Sequence, residues 1–345
     1  MKEFVSACRA NGIKVGIYLS PWDRHEPTYG TPAYNTFFIN QLKEVSENYG
    51  PIDEFWFDGA CGEGPNGKKQ EYAWSAYYAT IRKLEPNAVI AVSGPDVRWV
   101  GNEGGFARES EWSTVPIVGN MNEQVRKEFE YYNFDGVKPE DMAQLQAVKP
   151  IISGKDKDLG STDKMLAANE WAWFPAECDT SIRPGWFYHK SQDGQVKSLD
   201  ALIDIYFKSV GRNSVLLLNI PPDRDGRLAD VDVKRLGELG KFISQTFGRT
   251  TGRHRENTIA FTPSTTFDVI SVGEDIATVG QRVEAFHVEA HIDGEWKTIA
   301  SSTTIGYKRL IRLDEPVTTR GIKLIIDKSR APTKISSFSV HRLKK

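Results

Sequence analysis

The chain has 345 residues, 39% of them hydrophobic and 26% charged, an ordinary globular composition whose length exceeds what one core usually organises, so two domains are expected. A net charge of −2 with no long basic run gives nucleic acid or an anionic membrane nothing to hold, and no run of about 18 apolar residues offers a membrane span. Three widely spaced cysteines, Cys8, Cys61 and Cys178, with no CxxC pair, make neither a disulfide framework nor a zinc site.

Residues 2–11 (KEFVSACRAN) read as an amphipathic helix leading straight into a strand at 13–20 (IKVGIYLS). A helix over 35–49 carries Phe38, Leu42, Val45 and Tyr49 at helical spacing and stops at Gly50-Pro51. Then come a strand at 52–58 (IDEFWFD), a helix over 71–84 with Trp74, Tyr77, Tyr78 and Ile81 on one face, and a strand at 88–93 (AVIAVS). Residues 125–150 read as helical and polar. A helix over 199–210 runs into a strand at 214–220 (SVLLLNI), and a closing helix over 227–247 carries Leu236, Leu239, Ile243 and Phe247. Repeated βα units imply a parallel sheet, with a (β/α)8 barrel as the leading architecture at this length and an open doubly wound sheet as the alternative. The chain opens on a crossover helix and offers about six candidate barrel strands where closure needs eight. Either a barrel lacks its first strands or the sheet is open. After about residue 250, short runs (FDVISV, EAFHVEAHI, WKTIA, YKRLIRL, GIKLIID, SSFSVHRL) are separated by turn signals, among them the hairpin dipeptide Asp293-Gly294. They predict a small antiparallel β-sandwich, with a boundary near 248–257: a catalytic barrel over 1–250 and a C-terminal domain over 251–345.

Side chains alternate along a strand. In IDEFWFD, Phe55 and Phe57 suit the outer helices, so Trp56 and Asp58 point inward. Asp58 then sits at the C-terminal strand end, where barrel active sites lie. The plain alternative is a loop-capping aspartate. In 13–20 the same logic turns Ile13, Val15, Ile17 and Leu19 outward and Gly16, Tyr18 and Ser20 inward, with Tyr18 able to meet a sugar hydroxyl or to be a satisfied core tyrosine. The next loop holds Trp22, Asp23, Arg24 and His25, suited to sugar or to a structural Asp23–Arg24 turn. Nine Trp and twelve Tyr suit carbohydrate stacking, with core packing as the alternative for any one of them. Glycoside hydrolysis needs a second carboxyl group. Glu103 lies on a glycine-flanked loop, Glu109 and Glu111 read as part or rim of a further strand, and Glu177 lies beside Trp171, Trp173, Arg183 and Trp186. For each of them a solvated surface carboxylate is the alternative.

The segments KVGIYLSPWDRHEPTYG, IDEFWFDGA, VRWVGNEGG, ECDTSIRPGWFYH and RNSVLLLNIPPDRDG occur in this order and, with the β-rich C-terminal part, span nearly the whole chain. Together they resemble the α-L-fucosidases of glycoside hydrolase family 29, and VRWVGNEGG and SIRPGWFYH resemble the subgroup acting on α-1,3/1,4-fucosylated branched glycans. The resemblance implies a retaining exo-glycosidase without a cofactor whose partner is a fucosylated oligosaccharide, secreted or periplasmic in a glycan-degrading bacterium. It makes Asp58 the nucleophile and Glu103 the acid/base, with Glu177 and Glu111 in reserve. Trp56 would line the fucose pocket, Arg98 would reach a hydroxyl or the nucleophile, Trp186 would pack near the fucose methyl, and Glu177 and Arg183 would shape the pocket. The family's FxxHWG and His-His-Asp-Gly motifs are missing, since the six histidines (His25, His189, His254, His287, His291, His341) are nowhere adjacent. This matches the missing strands and an N-terminal truncation. Two other readings stay open: a catalytically impaired or carbohydrate-binding protein, and another barrel glycosidase such as an α-galactosidase, which shares the strand-ending Trp-x-Asp-Gly. His287 and His291 share a strand face but are too few for a metal site. Asp223–Gly226 departs from a calcium loop and reads as a turn capping the last helix.

Overall fold

The computed structural model describes residues 1–117, 156–168, 170–248 and 257–344. The polar helix expected over 125–150 and nearly all of the expected boundary at 248–257 lie outside the described residues. The chain divides into two compact units, one formed by Met1–Trp99 with Val115–Phe174 and the other by Val100–Thr114 with Pro175–Lys345.

The first unit runs α1 (Lys2–Ala10), β1 (Gly16–Tyr18), α2 (Pro32–Tyr49), β2 (Glu54–Phe57), α3 (Trp74–Leu84), β3 (Val89–Val92) and β4 (Val97–Trp99). The four strands pair in sequence order and in parallel, with Tyr18 opposite Trp56, Trp56 opposite Ala91, and Ala91 opposite Val97. Helical periodicity explains how the outer face is covered. α2, opened by Pro32 in its first turn, buries Tyr34, Phe38 and Leu42 at four-residue spacing. α3 buries Trp74, Tyr77, Tyr78 and Ile81. Both pack on Phe55 and Phe57, which are fully buried. Each such phenylalanine contributes roughly 2–3 kcal/mol through removal from water. Strand β1 is shorter than the apolar run suggests, and Ile13 is exposed, because the ladder to β2 begins only at Gly16. A further two-stranded sheet joins β5 (Thr114–Ile117) to β6 (Glu170–Trp173), which follows α4 (Thr162–Ala167).

The second unit contains β7 (Ala176–Ser181), a 3-10 turn at Lys190–Gln195, α5 (Leu199–Lys208), β8 (Val215–Asn219) and α6 (Asp230–Phe247). β7 and β8 are parallel, with Ser181 opposite Asn219. The described parallel strands are thus four in one unit and two in the other, where a closed barrel has eight. Beyond them β9 (Thr258–Glu274), α7 (Ile276–Val279), β10 (Val283–Ile292), β11 (Glu295–Ser302), β12 (Arg309–Ser329) and β13 (Ile335–His341) form one antiparallel sheet in the order β11-β10-β12-β9-β13. Asp293 and Gly294 turn the β10–β11 hairpin with positive φ angles of 53° and 85°, the conformation that the dipeptide favours. The runs YKRLIRL and GIKLIID, expected as two strands, belong to the single β12. Asp314-Glu315-Pro316 makes a bulge there, with the register on β9 shifting between Arg312 and Val317. Ile203 and Phe207 of α5 and Leu239 and Phe242 of α6 share a core with Val269 of β9 and Leu310 of β12.

Candidate active site

In the first unit the strand alternation holds at the C-terminal end of β2. Trp56 turns from the buried phenylalanine face and packs with Ala91, Val92 and Val97, and Asp58 is half-buried just past β2. The Tyr18–Trp56 register stacks the two rings, with centroids 5.0 Å apart and planes 22° from parallel. The Tyr18 hydroxyl donates to one Asp58 oxygen at 2.8 Å and the Ala60 amide to the other at 2.9 Å. Withdrawal of its oxygen from water, then the Asp58 charge, then the hydrogen bond to Asp58, hold the Tyr18 phenol well above its ordinary range, although the residue as a whole is 57% exposed. It therefore stays a donor throughout neutral pH. The structure thus brings Tyr18, Trp56 and Asp58 together as a carboxylate fixed at both oxygens beside an aromatic wall.

Trp22 lies in the following loop. Its indole N–H donates to the Glu63 carbonyl at 3.2 Å, and its ring covers Gly62 so closely that a Cβ there would stand 2.1 Å from a ring carbon. Asp23 is a turn residue, accepting from the amides of His25 and Glu26. Arg98, on β4, is 2% exposed, and its Nε donates to the Phe174 carbonyl at 2.9 Å.

The second unit carries the other candidates. Glu103 is exposed on a coil between Gly101 and Gly105, whose φ angles are 95° and 77°. A Cβ on Gly105 would lie 2.9 Å from Ile205 and 3.0 Å from Thr180, so glycine lets this loop lie flat on α5 and β7. Asn102 organises the loop from within, accepting from the Gly104 amide and donating to the Phe106 carbonyl. The Trp186 indole N–H donates to Glu103 at 3.2 Å. Three residues earlier, Arg183 is 1% exposed and donates to Asp232 and Asp193, each at 2.9 Å, and to the His189 carbonyl. Its fork is fully engaged, so it shapes the loop that carries Trp186. Glu177, on β7, is 2% exposed, and Glu111 is fully buried and ion-paired with Arg108 at 3.1 Å. Glu109 and Glu111 occupy coil preceding β5 rather than a strand.

Asn219 escaped the sequence reading. It ends β8 on the face shared by Val215 and Leu217, and donates to the Ser181 hydroxyl at 3.0 Å and the Trp186 carbonyl at 3.1 Å. The same alternation would have found it. The Asp223–Gly226 turn does not cap α6, whose N-cap is Ala229. Asp223 closes its own turn instead, accepting from the amides of Asp225 and Arg227. His287 bonds Asp327 at 2.8 Å and His291 packs on Trp296. Among the described residues no three His, Cys, Asp or Glu side chains gather as a metal ion requires, and no helix is long and apolar enough to cross a membrane.

The α-L-fucosidase family model matches residues 1–247. α-L-Fucosidase 1 of Arabidopsis thaliana is 34% identical over 98% of this chain and 68% of its own length. The crystal structure of a candidate α-L-fucosidase from Bacteroides ovatus superposes with a TM-score of 0.85 at 44% identity, covering all of this chain, which spans 58% of that one. A Ruminococcus gnavus family 29 fucosidase solved with fucose superposes with a TM-score of 0.77 at 28% identity, over 100% of this chain and 75% of its own. With the ordered motifs and the strand-end carboxylate, these matches show that the chain belongs to the α-L-fucosidase family, glycoside hydrolase family 29.

Proposed function

We propose that this chain is a retaining exo-glycosidase that releases L-fucose from α-1,3/1,4-fucosylated branched oligosaccharides by double displacement. The observation that carries the reading is Asp58, a strand-end carboxylate held at both oxygens by Tyr18 and Ala60. Asp58 attacks the anomeric carbon while Glu103 protonates the departing oxygen. Water, deprotonated by Glu103, then opens the fucosyl-enzyme with net retention. Trp56 and Trp22 serve as aromatic surfaces for the sugar, Tyr18 and Arg98 hold the nucleophile side, Trp186 receives the apolar edge of fucose, and Glu177 and Arg183 shape the surroundings. The parallel strands are read as part of an eight-stranded barrel over 1–250, and residues 251–345 as a sandwich that braces it. The core shared by α5, α6, β9 and β12 supports that bracing role.

The test is fucose release from a Lewis-type trisaccharide beside an aryl α-fucoside, by the full chain. Preferential release from the trisaccharide supports the branched-substrate reading. Preference for the aryl fucoside removes the linkage assignment. A second reading is glycan binding without turnover. Trisaccharide binding by a folded chain that releases nothing would select it. Family membership weighs against the galactosidase alternative.

A further inference from the structure

We propose that Trp186 is a positioning residue that fixes which oxygen of Glu103 carries the catalytic proton. The inference rests on the acid/base reading of Glu103. An indole N–H can donate and cannot accept. The Glu103 oxygen it holds at 3.2 Å is therefore an acceptor in both protonation states, and because a carbonyl oxygen accepts better than a hydroxyl oxygen, the acid proton is favoured on the other oxygen. Among the described residues no other side chain is hydrogen-bonded or ion-paired with the Glu103 carboxylate. Asn102, one residue away, spends its amide on the loop backbone.

The donor is itself held in place. The Trp186 carbonyl accepts from Asn219, which also donates to Ser181 at the end of β7, and the Arg183 ion pairs anchor the start of the same loop. A general acid works only if its proton faces the departing oxygen. In the first half-reaction that proton leaves the free oxygen of Glu103 for the glycosidic oxygen as that oxygen's bond to the anomeric carbon breaks and Asp58 bonds to the carbon. In the second, the same bare oxygen takes a proton from water as the water oxygen bonds to the carbon and the bond to Asp58 breaks. The indole N–H meanwhile stabilises the intervening carboxylate form. Trp186 thus serves both half-reactions from one fixed position.

Trp186→Phe keeps a ring and removes the N–H. With the full chain, kcat/KM for the Lewis-type trisaccharide, whose departing hydroxyl must be protonated, is expected to fall about tenfold further than kcat/KM for an aryl fucoside with a strongly acidic phenol. The alkaline limb of kcat/KM for the trisaccharide is expected to move up by about half to one pH unit, because the carboxylate form loses a donor. Equal losses on both substrates with an unmoved limb overturn the proposal and leave Trp186 as a packing surface. A second measurement does not depend on turnover. The indole N–H resonance that disappears in Trp186→Phe should titrate in the wild-type chain and stand still in Glu103→Gln, and a wild-type resonance that does not titrate overturns the proposal. If Glu103→Gln cleaves the trisaccharide at the full rate, the acid/base reading itself falls.

Discussion

Asp58 and Glu103 are two carboxylates supported in opposite ways. Asp58 follows a strand paired on both sides, by β1 and by β3. It is half-buried and receives a hydrogen bond of 2.8 or 2.9 Å on each oxygen. Glu103 stands exposed on a coil and, among the described residues, receives a single bond of 3.2 Å. The contrast fits the chemistry proposed for each. A nucleophile must be ionised, aimed and still, and donors on both oxygens favour that state. A group that serves first as acid and then as base needs one oxygen left open and an environment that the substrate itself completes.

The sharpest way to break the comparison is to remove the proposed nucleophile. Asp58→Asn keeps the shape and the Ala60 contact, and turnover is expected to fall by about three orders of magnitude or more, with an unchanged unfolding midpoint. A normal rate in this variant would return Asp58 to the role of a loop cap. Next in size is the support beneath the other carboxylate's partner. Asp232→Ala leaves the Arg183 guanidinium, which has no exposed side-chain surface, without its buried partner. That change is expected to cost about 3–5 kcal/mol in denaturant unfolding. A loss under about 1 kcal/mol would mean that Asp193 alone suffices. Smaller again is Tyr18→Phe, which keeps the stack on Trp56 and removes one donor to Asp58. Its kcat/KM is expected to drop roughly tenfold. Because burial of its oxygen and the Asp58 charge hold the Tyr18 phenol above its ordinary range, it remains protonated below that range. The deficit should therefore be constant from about pH 5 to 9, and a deficit appearing only at one end would assign the effect to another group.

The two carboxylates also differ in how far sequence reaches them. Asp58 was legible because a strand has a fixed two-residue period: Phe55 and Phe57 declare the helix-facing side, and the position of Asp58 follows. Tyr18 followed in the same way, and its contact with Asp58 needs only the parallel register of two adjacent strands. Asn219 obeys this rule too, at the end of an apolar run whose Leu216 and Leu218 pack against the core. Glu103 has no period to read. Its place depends on glycine φ angles and on a loop pressed against α5 and β7, so resemblance alone singled it out. The Arg183–Asp232 pair joins residues 49 positions apart, a separation at which no local pattern constrains a partner. In the C-terminal sheet the charged, proline-containing 314–316 looked like a turn, although a bulge absorbs such residues without ending a strand.

The smallest expected effect separates Glu103 from its neighbours in sequence. Glu111 and Glu177 are buried to 0% and 2% exposure, and Glu111 is tied to Arg108, so neither presents an open oxygen. Glu109 shares the exposure of Glu103, with 67% of its side-chain surface accessible, but two guanidinium groups, those of Arg212 and Arg309, take up its oxygens. A carboxylate so engaged lacks the free oxygen that the acid/base role requires. Glu109→Gln is therefore expected to leave kcat/KM on the Lewis-type trisaccharide within about twofold. If Glu109→Gln instead loses as much activity as Glu103→Gln, the proton donor moves six residues down the loop. Asp58 would keep its role, and the contrast would become one between two firmly held carboxylates.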